Sequence, residues 1–549
     1  MAKPTRYTEE MYKEYEEKGY WESRTLSDVW EQNAKAYPND EAIADAHTRL
    51  TWSEANKWID RLALGFLELG FQKDDMVVIQ LPNSVELCLL RIACERAGLL
   101  FSPVLRTWRQ KEMDNTLNLL EAVGVVIPWK FREFDYTRMI REMRPRIPKL
   151  KRVFVVGNEA PEGTISIKQM VERPIEQNYP PNYLDEKKTK PREFSFVAST
   201  TGTTGFPKFV EWPICRNMHE GKNYVEKWEI TEKDILAALS PAAGGPNVAV
   251  YVSAPMVHAK TVWLEHFTAQ NAFEIMARER PTIISLVPAM LIMILRDPSC
   301  GNYKLDSLRL IHTTGAALPP DVGKEAQEVF GCPIVGVYGA MDAGGMCYHS
   351  IRDSEWVRLY TIGKPCNGNE VKLLDDNGRS GLEVKIGEIS VRGAELSSGY
   401  YKDPELNAAI FTKDGWYRTG DLGTFVENGN VRLVGRKKEM IIRGGQNIYP
   451  VEIENLLITH PYVAQVAVVK MPDPVMAEKV CAYVVPEAGQ DFTFDKMISF
   501  LKEKEVAPYK LPERLEIIDA LPMIAAGQKV DKKALEKAIA DKLKAVDQV

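Results

Sequence analysis

Short, continuous apolar runs alternate with amphipathic helical patterns through the first part of this chain. The run at 76–82, MVVIQLP, is typical of a strand buried on both faces, and it lies between helical patterns at 51–71 and 84–99. Further apolar runs at 123–128 and 152–157 repeat the arrangement. Strands that alternate with helices predict βαβ units and a parallel sheet, so the sequence indicates an α/β fold.

The next segment interrupts this pattern. Residues 158–193 are rich in Pro, Glu and Lys and predict an excursion over the surface. A second alternating block follows from about 194 to 340 and contains the apolar runs 279–295, 308–315 and 333–339. The same βαβ argument applies to it, so we expect the parallel sheets to extend to this point.

The character of the chain changes again after about residue 355. Short β-like runs with turn signals, such as 384–393 and 425–435, predict a small antiparallel β subdomain, either a sheet or a barrel-like arrangement. Mixed α/β character returns beyond it. We therefore expect a large N-terminal domain and a small α+β C-terminal domain. The expected bounds are 1–434 for the first, with about 355–434 as its β subdomain, and 435–549 for the second.

Composition excludes several classes of protein. The 549 residues carry 70 Lys and Arg against 76 Asp and Glu, a balance that disfavours a nucleic-acid binder or a polybasic membrane anchor. The longest apolar stretch, Thr282–Leu295, is shorter than the ~20 residues of a spanning helix and contains Pro288. The first residues lack the apolar core of a signal peptide. The eight cysteines form no CxxC pair and the seven histidines show no zinc spacing. We expect a cytoplasmic protein with reduced thiols.

One segment carries most of the chemical information. VASTTGTTGFPK (197–208) follows an apolar run and places five hydroxyl side chains and two glycines before Pro207 and Lys208. Glycines allow close backbone approach to an anion, and hydroxyls, amides and a lysine can bind phosphate oxygens. The spacing is neither GxxxxGK[ST] nor GxGxxG. The residue types alone leave a flexible Thr/Gly linker open.

This stretch resembles the AMP-binding signature of the adenylate-forming superfamily, which includes acyl-CoA synthetases, adenylation domains of peptide synthetases and luciferases. The match holds at every position of the segment. The resemblance implies catalytic roles for Thr200 and Lys208. It implies that the residues between them bind the nucleotide; these are Thr201, Gly202, Thr203 and Thr204.

A second segment, VYGAMDAGG (337–345), is similar to the YGxxE element of that superfamily, with Asp342 where Glu is usual. The resemblance implies that Asp342 and Thr200 hold Mg²⁺ near the phosphates, and that Tyr338 and Gly339 contact the nucleotide. Asp keeps the charge but shortens the reach. Without its neighbours, the segment also reads as a strand end and a turn.

Two further segments extend the resemblance. HTTGAALPP (312–320) is similar to the loop that lines the adenine and acyl pockets, which implicates Gly315 and Ala316. GWYRTGDLG (415–423) is a strong match, in which Asp421 is implied to accept both ribose hydroxyls. An isolated TGD would more often be a turn.

GRKKEMIIRGGQNIYPVEIE (435–454) is the third strong match. Alone it reads as a basic turn, a Gly-rich loop and a helix with solvated charges. The resemblance implies that Arg436 contacts the nucleotide and that Lys438 is the hinge of a mobile C-terminal lid. It places Gly444, Gly445 and Tyr449 on the face that meets coenzyme A.

The segment LPMIAAGQKVDKKAL (521–535) resembles the C-terminal element that carries the adenylation lysine. The usual pattern is PxTxxGK. Here Gln528 separates Gly527 from Lys529, and Ile524 replaces the threonine. Counting back from VDKKAL favours Lys529, with Lys532 as the alternative. Outside the family context either lysine would be a solvated side chain.

The resemblance implies a ligase that uses ATP, Mg²⁺ and coenzyme A. A carboxylate first attacks the α-phosphate of ATP and releases pyrophosphate, and a thiol then displaces AMP from the acyl-adenylate. The carboxylate is already ionised near pH 7, so no protein base is needed. Positioning and charge stabilisation by Lys529, Mg²⁺ and the Thr-rich loop would carry the rate.

The acid is suggested by a departure from the most similar subgroup, the 2,3-dihydroxybenzoate-activating enzymes. That subgroup has PxAHN where this chain reads SPAAGGPN (240–247), so Gly244 and Gly245 replace the polar pair. A site without that pair has no preference for a ring hydroxyl. The expected pocket is formed by Ala243, Gly244, Gly245, Gly315 and Ala340, and the expected acid is benzoate, cyclohexane carboxylate or cyclohexene carboxylate. Alternatively, the glycines only shape a loop.

Three other functions stay open at this point. An aryl-acid adenylating enzyme would load a carrier protein instead of coenzyme A. A luciferase-like monooxygenase is disfavoured because the sequence lacks a terminal SKL, and a non-enzymatic ATP-binding scaffold is disfavoured by the intact Lys208, Asp421 and Lys529. The expected partners are small molecules, without nucleic acid or an integral membrane. The sequence leaves the direction of the reaction and a homodimer open.

Overall fold

Two large, mainly parallel sheets form the framework of the chain up to residue 365, which confirms the α/β prediction. Their parallel strands are buried almost throughout, as expected for sheets covered by helices on both faces. The molecule is known from a computed structural model. It describes residues 2–157, 159–200, 207–242, 247–381, 383–524 and 529–547, with the backbone alone described at 524, 529 and 545–547.

The first sheet has nine strands, of which the six central ones are parallel. An antiparallel strand closes one edge and an antiparallel pair closes the other. From edge to edge the strands are Lys364–Pro365, Gly344–Tyr348, Ile334–Ala340, Leu310–Thr313, Ile283–Leu286, Ile235–Ala238, Lys260–Trp263, Glu41–Ala44 and Arg49–Thr51.

The second sheet has seven strands and contains the apolar runs predicted at 76–82, 123–128 and 152–157. All of its strand pairs are parallel except one at an edge, where the two strands on either side of residues 201–206 pair antiparallel. From edge to edge the strands are Lys208–Pro213, Phe194–Thr200, Leu100–Pro103, Met76–Ile79, Gly124–Pro128, Arg152–Val156 and Ile165–Ser166. A short hairpin of Lys130–Phe131 and Phe134–Asp135 lies beside it.

The helices begin and end where the sequence provides caps. The Thr51 side chain accepts a hydrogen bond from the Glu54 amide at the start of Trp52–Glu68, and Gly98 ends Val85–Ala97 at φ 75°. The α-helices are Glu9–Glu17, Leu26–Ala36, Trp52–Glu68, Val85–Ala97, Gln110–Leu119, Tyr136–Met143, Ile167–Glu172, Ile214–Trp228, Ala254–Met256, Ala269–Glu279, Pro288–Arg296, Pro320–Phe330, Glu355–Tyr360, Pro404–Ile410, Pro450–Leu457, Phe494–Glu503 and Lys532–Asp547. Among the described residues no helix is both long and apolar enough to cross a bilayer.

The segment 158–193 is more ordered than the surface excursion that its composition predicts. It supplies the edge strand Ile165–Ser166 and the helix Ile167–Glu172. The helix packs closely on Trp52–Glu68, because a Cβ at Gly65 would lie 2.6 Å from Met170 Cε. Few apolar residues make this contact, and charged residues surround them in the sequence, so the composition of the segment did not indicate it.

The predicted β subdomain is an open antiparallel sheet rather than a closed barrel. Four strands are too few to close on themselves, and their inner face instead packs against Met346 and Cys347 of the nine-stranded sheet. In order they are Asn369–Leu374, Gly387–Gly393, Tyr417–Phe425 and Val431–Arg436.

The C-terminal region has an α+β core of its own. Ile441, Leu457, Val468 and Leu501 are among the buried residues that pack together there. The boundary near Gly435 stays a prediction. The strands are Gln446–Ile448, Ile441–Arg443, Ala477–Pro486, Val463–Asp473 and Arg514–Ile517, with a separate hairpin of Met523–Ile524 and Lys529–Val530.

Candidate active site

A cavity of about 650 Å³ opens at the carboxyl ends of the central strands of the nine-stranded sheet. Ser240, Val287 and Thr314 follow three of these parallel strands, and Ala340 ends a fourth. Ligands of open α/β sheets bind at this end of the strands. The volume is in the range of small-molecule sites.

The predicted phosphate-binding segment borders this cavity. Thr200 ends one strand, Lys208 begins the next, and the two are paired across the hairpin. Both line the cavity, and Lys208 Nζ lies 5.7 Å from the centre of the Tyr400 ring. Thr201, Gly202, Thr203 and Thr204 lie outside the described residues.

Asp421 is a buried carboxylate in the cavity wall with two fixed partners. The Tyr338 hydroxyl donates to Asp421 Oδ2 at 2.7 Å, and Arg436 Nε lies 3.1 Å from Asp421 Oδ1. Burial, and then the Asp421 charge, raises the pKa of Tyr338. Burial alone would lower the pKa of Arg436, but the Asp421 charge raises it. Tyr338 and Arg436 therefore hold the Asp421 carboxylate in one orientation at the cavity wall.

Asp342 also lines the cavity and receives two tyrosine hydroxyls. Tyr417 donates to Asp342 Oδ1 at 3.0 Å, and Tyr400 donates to Oδ2. The described residues contain no cluster of three or more His, Cys, Asp or Glu side chains suited to a metal. Asp342 with the hydroxyl of Thr200 supplies hard oxygen donors beside the phosphate segment. That donor set fits Mg²⁺, which takes one or two carboxylates and completes its shell with substrate phosphates and water.

Small residues line part of the cavity wall. Gly315, in a turn at φ 90°, lies there with Ala316, Gly339 and Ala340. Gly315 and Ala340, two of the residues predicted for the acyl pocket, both line this cavity. Ala243, Gly244 and Gly245, the other predicted members, lie outside the described residues.

A buried charged cluster underlies this compartment. Glu220 lines the cavity, and its Oε2 lies 2.5 Å from Nη1 of the fully buried Arg216. Glu395 accepts hydrogen bonds from Asn223 and, at 2.8 Å, from the Tyr348 hydroxyl. Burial, and then the Glu220 charge, raises the pKa of Glu395 to about 8. The cluster closes the floor of the cavity with charges that are paired.

A glycine makes room for this cluster. A Cβ at Gly345 would lie 2.0 Å from Tyr348 Oη and 2.7 Å from Glu395 Oε2. Real side chains do not approach so closely, and a substitution there would push the cluster apart.

The predicted hinge and the predicted coenzyme A face are separate in this arrangement. Lys438 lines the cavity, and burial, followed by the charge of Arg436, lowers its pKa. Gly444 and Gly445 form the turn of a hairpin at φ 54° and 85°. Neither they nor Tyr449, which packs against Gly435, is among the described residues that line the cavity.

The two candidate lysines of the C-terminal element differ in surroundings. The backbone of Lys529 pairs with that of Ile524 in a short hairpin, and its side chain lies outside the described atoms. Lys532 Nζ lies 2.7 Å from Glu454 Oε1 and 3.1 Å from Glu439 Oε2. Burial alone would lower the pKa of Lys532, but these two carboxylates raise it. The Lys532 ammonium group is therefore held in ion pairs with Glu439 and Glu454.

Comparison with known families decides where the chain belongs. Residues 30–401 match the family model described as AMP-binding enzyme, and residues 452–528 match the AMP-binding enzyme C-terminal domain. The chain belongs to the AMP-binding enzyme family. The predicted resemblance to the adenylate-forming superfamily is confirmed, and with it the expectation of an AMP-forming acid–thiol ligase.

Individual relatives agree over nearly the full length. The chain is 32% identical over 542 residues to 2,3-dihydroxybenzoate-AMP ligase of Bacillus subtilis (strain 168), with 98% of both chains covered. It is 32% identical over 537 residues to 2-hydroxy-7-methoxy-5-methyl-1-naphthoate–CoA ligase of Streptomyces carzinostaticus, with 95% of both covered. The fold matches the crystal structure of the anthranilate CoA ligase AuaEII in complex with anthranoyl-AMP. That match has a TM-score of 0.86 at 22% identity and covers 95% of this chain and 98% of that one.

Sequence reasoning missed four side chains that shape the site, namely Tyr400, Tyr417, Arg216 and Glu220. A signal existed for Tyr417, because it precedes Asp421 by four residues, as Tyr338 precedes Asp342. Arg216 and Glu220 are spaced like an exposed ion pair on a helix, so their burial had no sequence signal.

Proposed function

We propose that this chain is an ATP-dependent acid–CoA ligase that acts on an aromatic or alicyclic carboxylic acid. It forms an acyl-adenylate with release of pyrophosphate, and then an acyl-CoA thioester with release of AMP. The observation that carries this proposal is the single cavity, which joins the Thr200, Lys208 and Asp421 side chains to a compartment of small residues. A nucleotide and a carboxylic acid can meet in such a space.

The nucleotide would bind along one wall of the cavity. Asp421, oriented by Tyr338 and Arg436, accepts the ribose hydroxyls. Lys208 and the Thr200 hydroxyl point their donors at the phosphates. Because these donors and the small residues of the acid compartment line the same cavity, the acid's carboxylate would approach the α-phosphate with both groups held.

Asp342 and Thr200 are the residues that would hold Mg²⁺, which supplies neutralisation of phosphate charge when bound. Lys529 would complete the positive surroundings of the developing charge. Lys438 would then act as the pivot about which Gly444, Gly445 and Tyr449 reach the site for the thioester step. Lys532, fixed between two carboxylates, is the weaker candidate for the adenylation lysine.

The lining of the acid compartment supports a compact, uncharged ring as the substrate. Gly315, Ala316 and Ala340 leave room for a ring next to the phosphate site, and Val287 adds an apolar wall. The Glu220 charge is matched by Arg216 beneath the floor, so it offers no net charge for a second carboxylate to oppose. Two relatives also carry ring acids in their names.

The experiment that tests this is acid-dependent ATP–pyrophosphate exchange, repeated with coenzyme A and thioester detection. The panel contains benzoate, cyclohexane carboxylate, cyclohexene carboxylate, 2,3-dihydroxybenzoate, octanoate and malonate. We expect the first three to give exchange and thioester. Clearly faster exchange with 2,3-dihydroxybenzoate than with the unsubstituted rings would reject the proposed acid class, and exchange with none would reject the activity.

A second candidate is an aryl-acid adenylating enzyme that loads a carrier protein. The end-to-end match to a 2,3-dihydroxybenzoate-AMP ligase favours it. Both candidates share the first half-reaction, so only the acceptor separates them. Incubation of the acyl-adenylate with free coenzyme A and, in parallel, with a phosphopantetheine-bearing carrier protein distinguishes them. The first candidate predicts rapid transfer to coenzyme A alone.

A further inference from the structure

Two segments that meet at the cavity exchange hydrogen bonds reciprocally. Each carries a tyrosine followed four residues later by an aspartate, Tyr338 with Asp342 and Tyr417 with Asp421. The Tyr338 hydroxyl donates to Asp421 at 2.7 Å, and the Tyr417 hydroxyl donates to Asp342 at 3.0 Å. We call these four residues the Tyr–Asp brace. It joins the nine-stranded sheet to the four-stranded sheet.

The donors of the brace are fixed. Tyr417 is 4% exposed, and burial followed by the Asp342 charge raises its pKa well above the ordinary value. Tyr400 is 3% exposed and donates to the second oxygen of Asp342. Its backbone is held by an isolated β-bridge to Val210, in the strand Lys208–Pro213. The main chain of Asp342 is also tied, because its carbonyl accepts from the Ser397 hydroxyl at 2.7 Å. Asp342 therefore has little freedom to rotate.

The fixed surroundings of Asp342 matter because this position has aspartate where the superfamily pattern usually has glutamate. Aspartate has one methylene fewer than glutamate, so its carboxylate must be directed by its surroundings rather than by its own length. A carboxylate has about four acceptor positions, and two tyrosines occupy only part of them. Asp342 is half-buried and lines the cavity, so the remaining acceptor positions can serve a ligand there.

We propose that Tyr417 and Tyr400 are positioning residues that hold Asp342 for the Mg²⁺ accompanying ATP. The brace then fixes the distance between the metal-binding carboxylate and the ribose-binding carboxylate of Asp421. The two hydrogen bonds between the segments therefore set the separation between the ribose site and the site of the phosphate-bound metal. This inference rests on the proposed function, because it requires ATP in this cavity.

The test is the Mg²⁺ dependence of ATP binding, measured by titration calorimetry on the full chain with Tyr417→Phe, Tyr400→Phe and the double variant. Hydrogen bonds to charged groups are individually strong, so each single variant should need roughly tenfold more Mg²⁺ for half-maximal ATP binding. ATP affinity at saturating Mg²⁺ should stay near the wild-type value. Tyr401→Phe is the matched control, since this neighbour packs on Phe194 at 6.1 Å and does not contact Asp342.

Binding of Mn²⁺ in the presence of ATP, followed by electron paramagnetic resonance, gives a second readout that needs no turnover. The brace predicts weaker Mn²⁺ binding in both single variants and the weakest in the double variant. An unchanged Mg²⁺ dependence in folded variants overturns the inference while leaving the proposed function intact. An equal loss of ATP affinity at every Mg²⁺ concentration also overturns it. A wild-type chain that binds no ATP overturns both.

Discussion

Arg436 and Asp421 form an ion pair at the cavity wall, with Arg436 Nε 3.1 Å from Asp421 Oδ1. The pair leaves the carboxylate charged and oriented by Tyr338 from the other side. Asp421→Asn should therefore weaken ATP binding by about 2 kcal/mol, since a charged acceptor becomes a neutral amide with one acceptor fewer. Calorimetric ATP titration measures the loss directly.

The control for that prediction is Asp306→Asn, which alters an exposed ion pair with Arg280 and is not among the described residues that line the cavity. Exposed pairs contribute little, so ATP binding by this variant should match the wild type. Asp421→Asn with unaltered ATP affinity would remove the ribose-binding role from this residue.

The two lysines of the C-terminal element should respond differently to substitution. Lys529→Ala is expected to abolish acid-dependent pyrophosphate exchange but to spare thioester formation from preformed acyl-AMP. The described contact of Lys529 is the backbone pairing with Ile524, which alanine can keep, so the variant should unfold at the wild-type temperature. The measurements are exchange, thioester yield and thermal unfolding. Equal loss of both half-reactions would reject the adenylation role.

Lys532→Met should instead lower stability. It leaves Glu439 and Glu454 without their shared cation in a partly buried site, which costs about 3 kcal/mol for a buried pair. Exchange activity at low temperature should remain. A stable Lys532→Met variant without exchange would make Lys532 the adenylation lysine instead.

The parallel sheets could be predicted from the sequence because their strands are buried on both faces and read as unbroken apolar runs, as at 76–82. The sequence predicts the antiparallel β subdomain but leaves open whether it is a sheet or a barrel. Its inner face is covered by Met346 and Cys347, whose contact with it depends on tertiary packing over a long sequence separation. Local patterns indicate strands, but they do not indicate what covers them.

The residues of the candidate site also fall into two groups, those that the sequence predicts and those that it does not. Thr200, Lys208, Asp342 and Asp421 could be chosen because each lies in a segment with a recognisable pattern, and all of them line one cavity. Glu220 had no such pattern. Its helix, Ile214–Trp228, is buried on most of its faces, so a charge pair that would normally be solvated became the floor of the cavity.

The width of the acid compartment should depend on Ala340. Ala340→Leu adds three carbon atoms at a strand end that lines the cavity with Gly315, so cyclic acids should lose affinity while acetate or propionate gains relative to them. A change of ten- to a hundredfold in relative kcat/KM is expected, on the order of 1–3 kcal/mol. Pyrophosphate exchange over acids of increasing size measures it. Val329→Leu, at an exposed position, is the control and should leave the acid preference unchanged.

The buried Glu395 should make the stability of the fold depend on pH. Its pKa is raised from 4.5 to about 8 in the folded chain, chiefly by burial and then by Glu220. Between these values the folded state keeps a proton that the unfolded state releases, so unfolding becomes easier as pH rises from about 5 to about 8. The slope is at most about 1.4 kcal/mol per pH unit.

Glu395→Gln should flatten this dependence. The amide is neutral at every pH, and it can still accept from the Tyr348 hydroxyl, so the variant keeps a contact that the protonated carboxyl makes. The thermal midpoint of the variant should therefore vary less between pH 5 and pH 8 than that of the wild type. Glu142→Gln, on an exposed helix face, is the control and should retain the wild-type slope. An identical slope in Glu395→Gln would mean that Glu395 is ionised in the folded chain across this range, and that its proton is not the one released on unfolding.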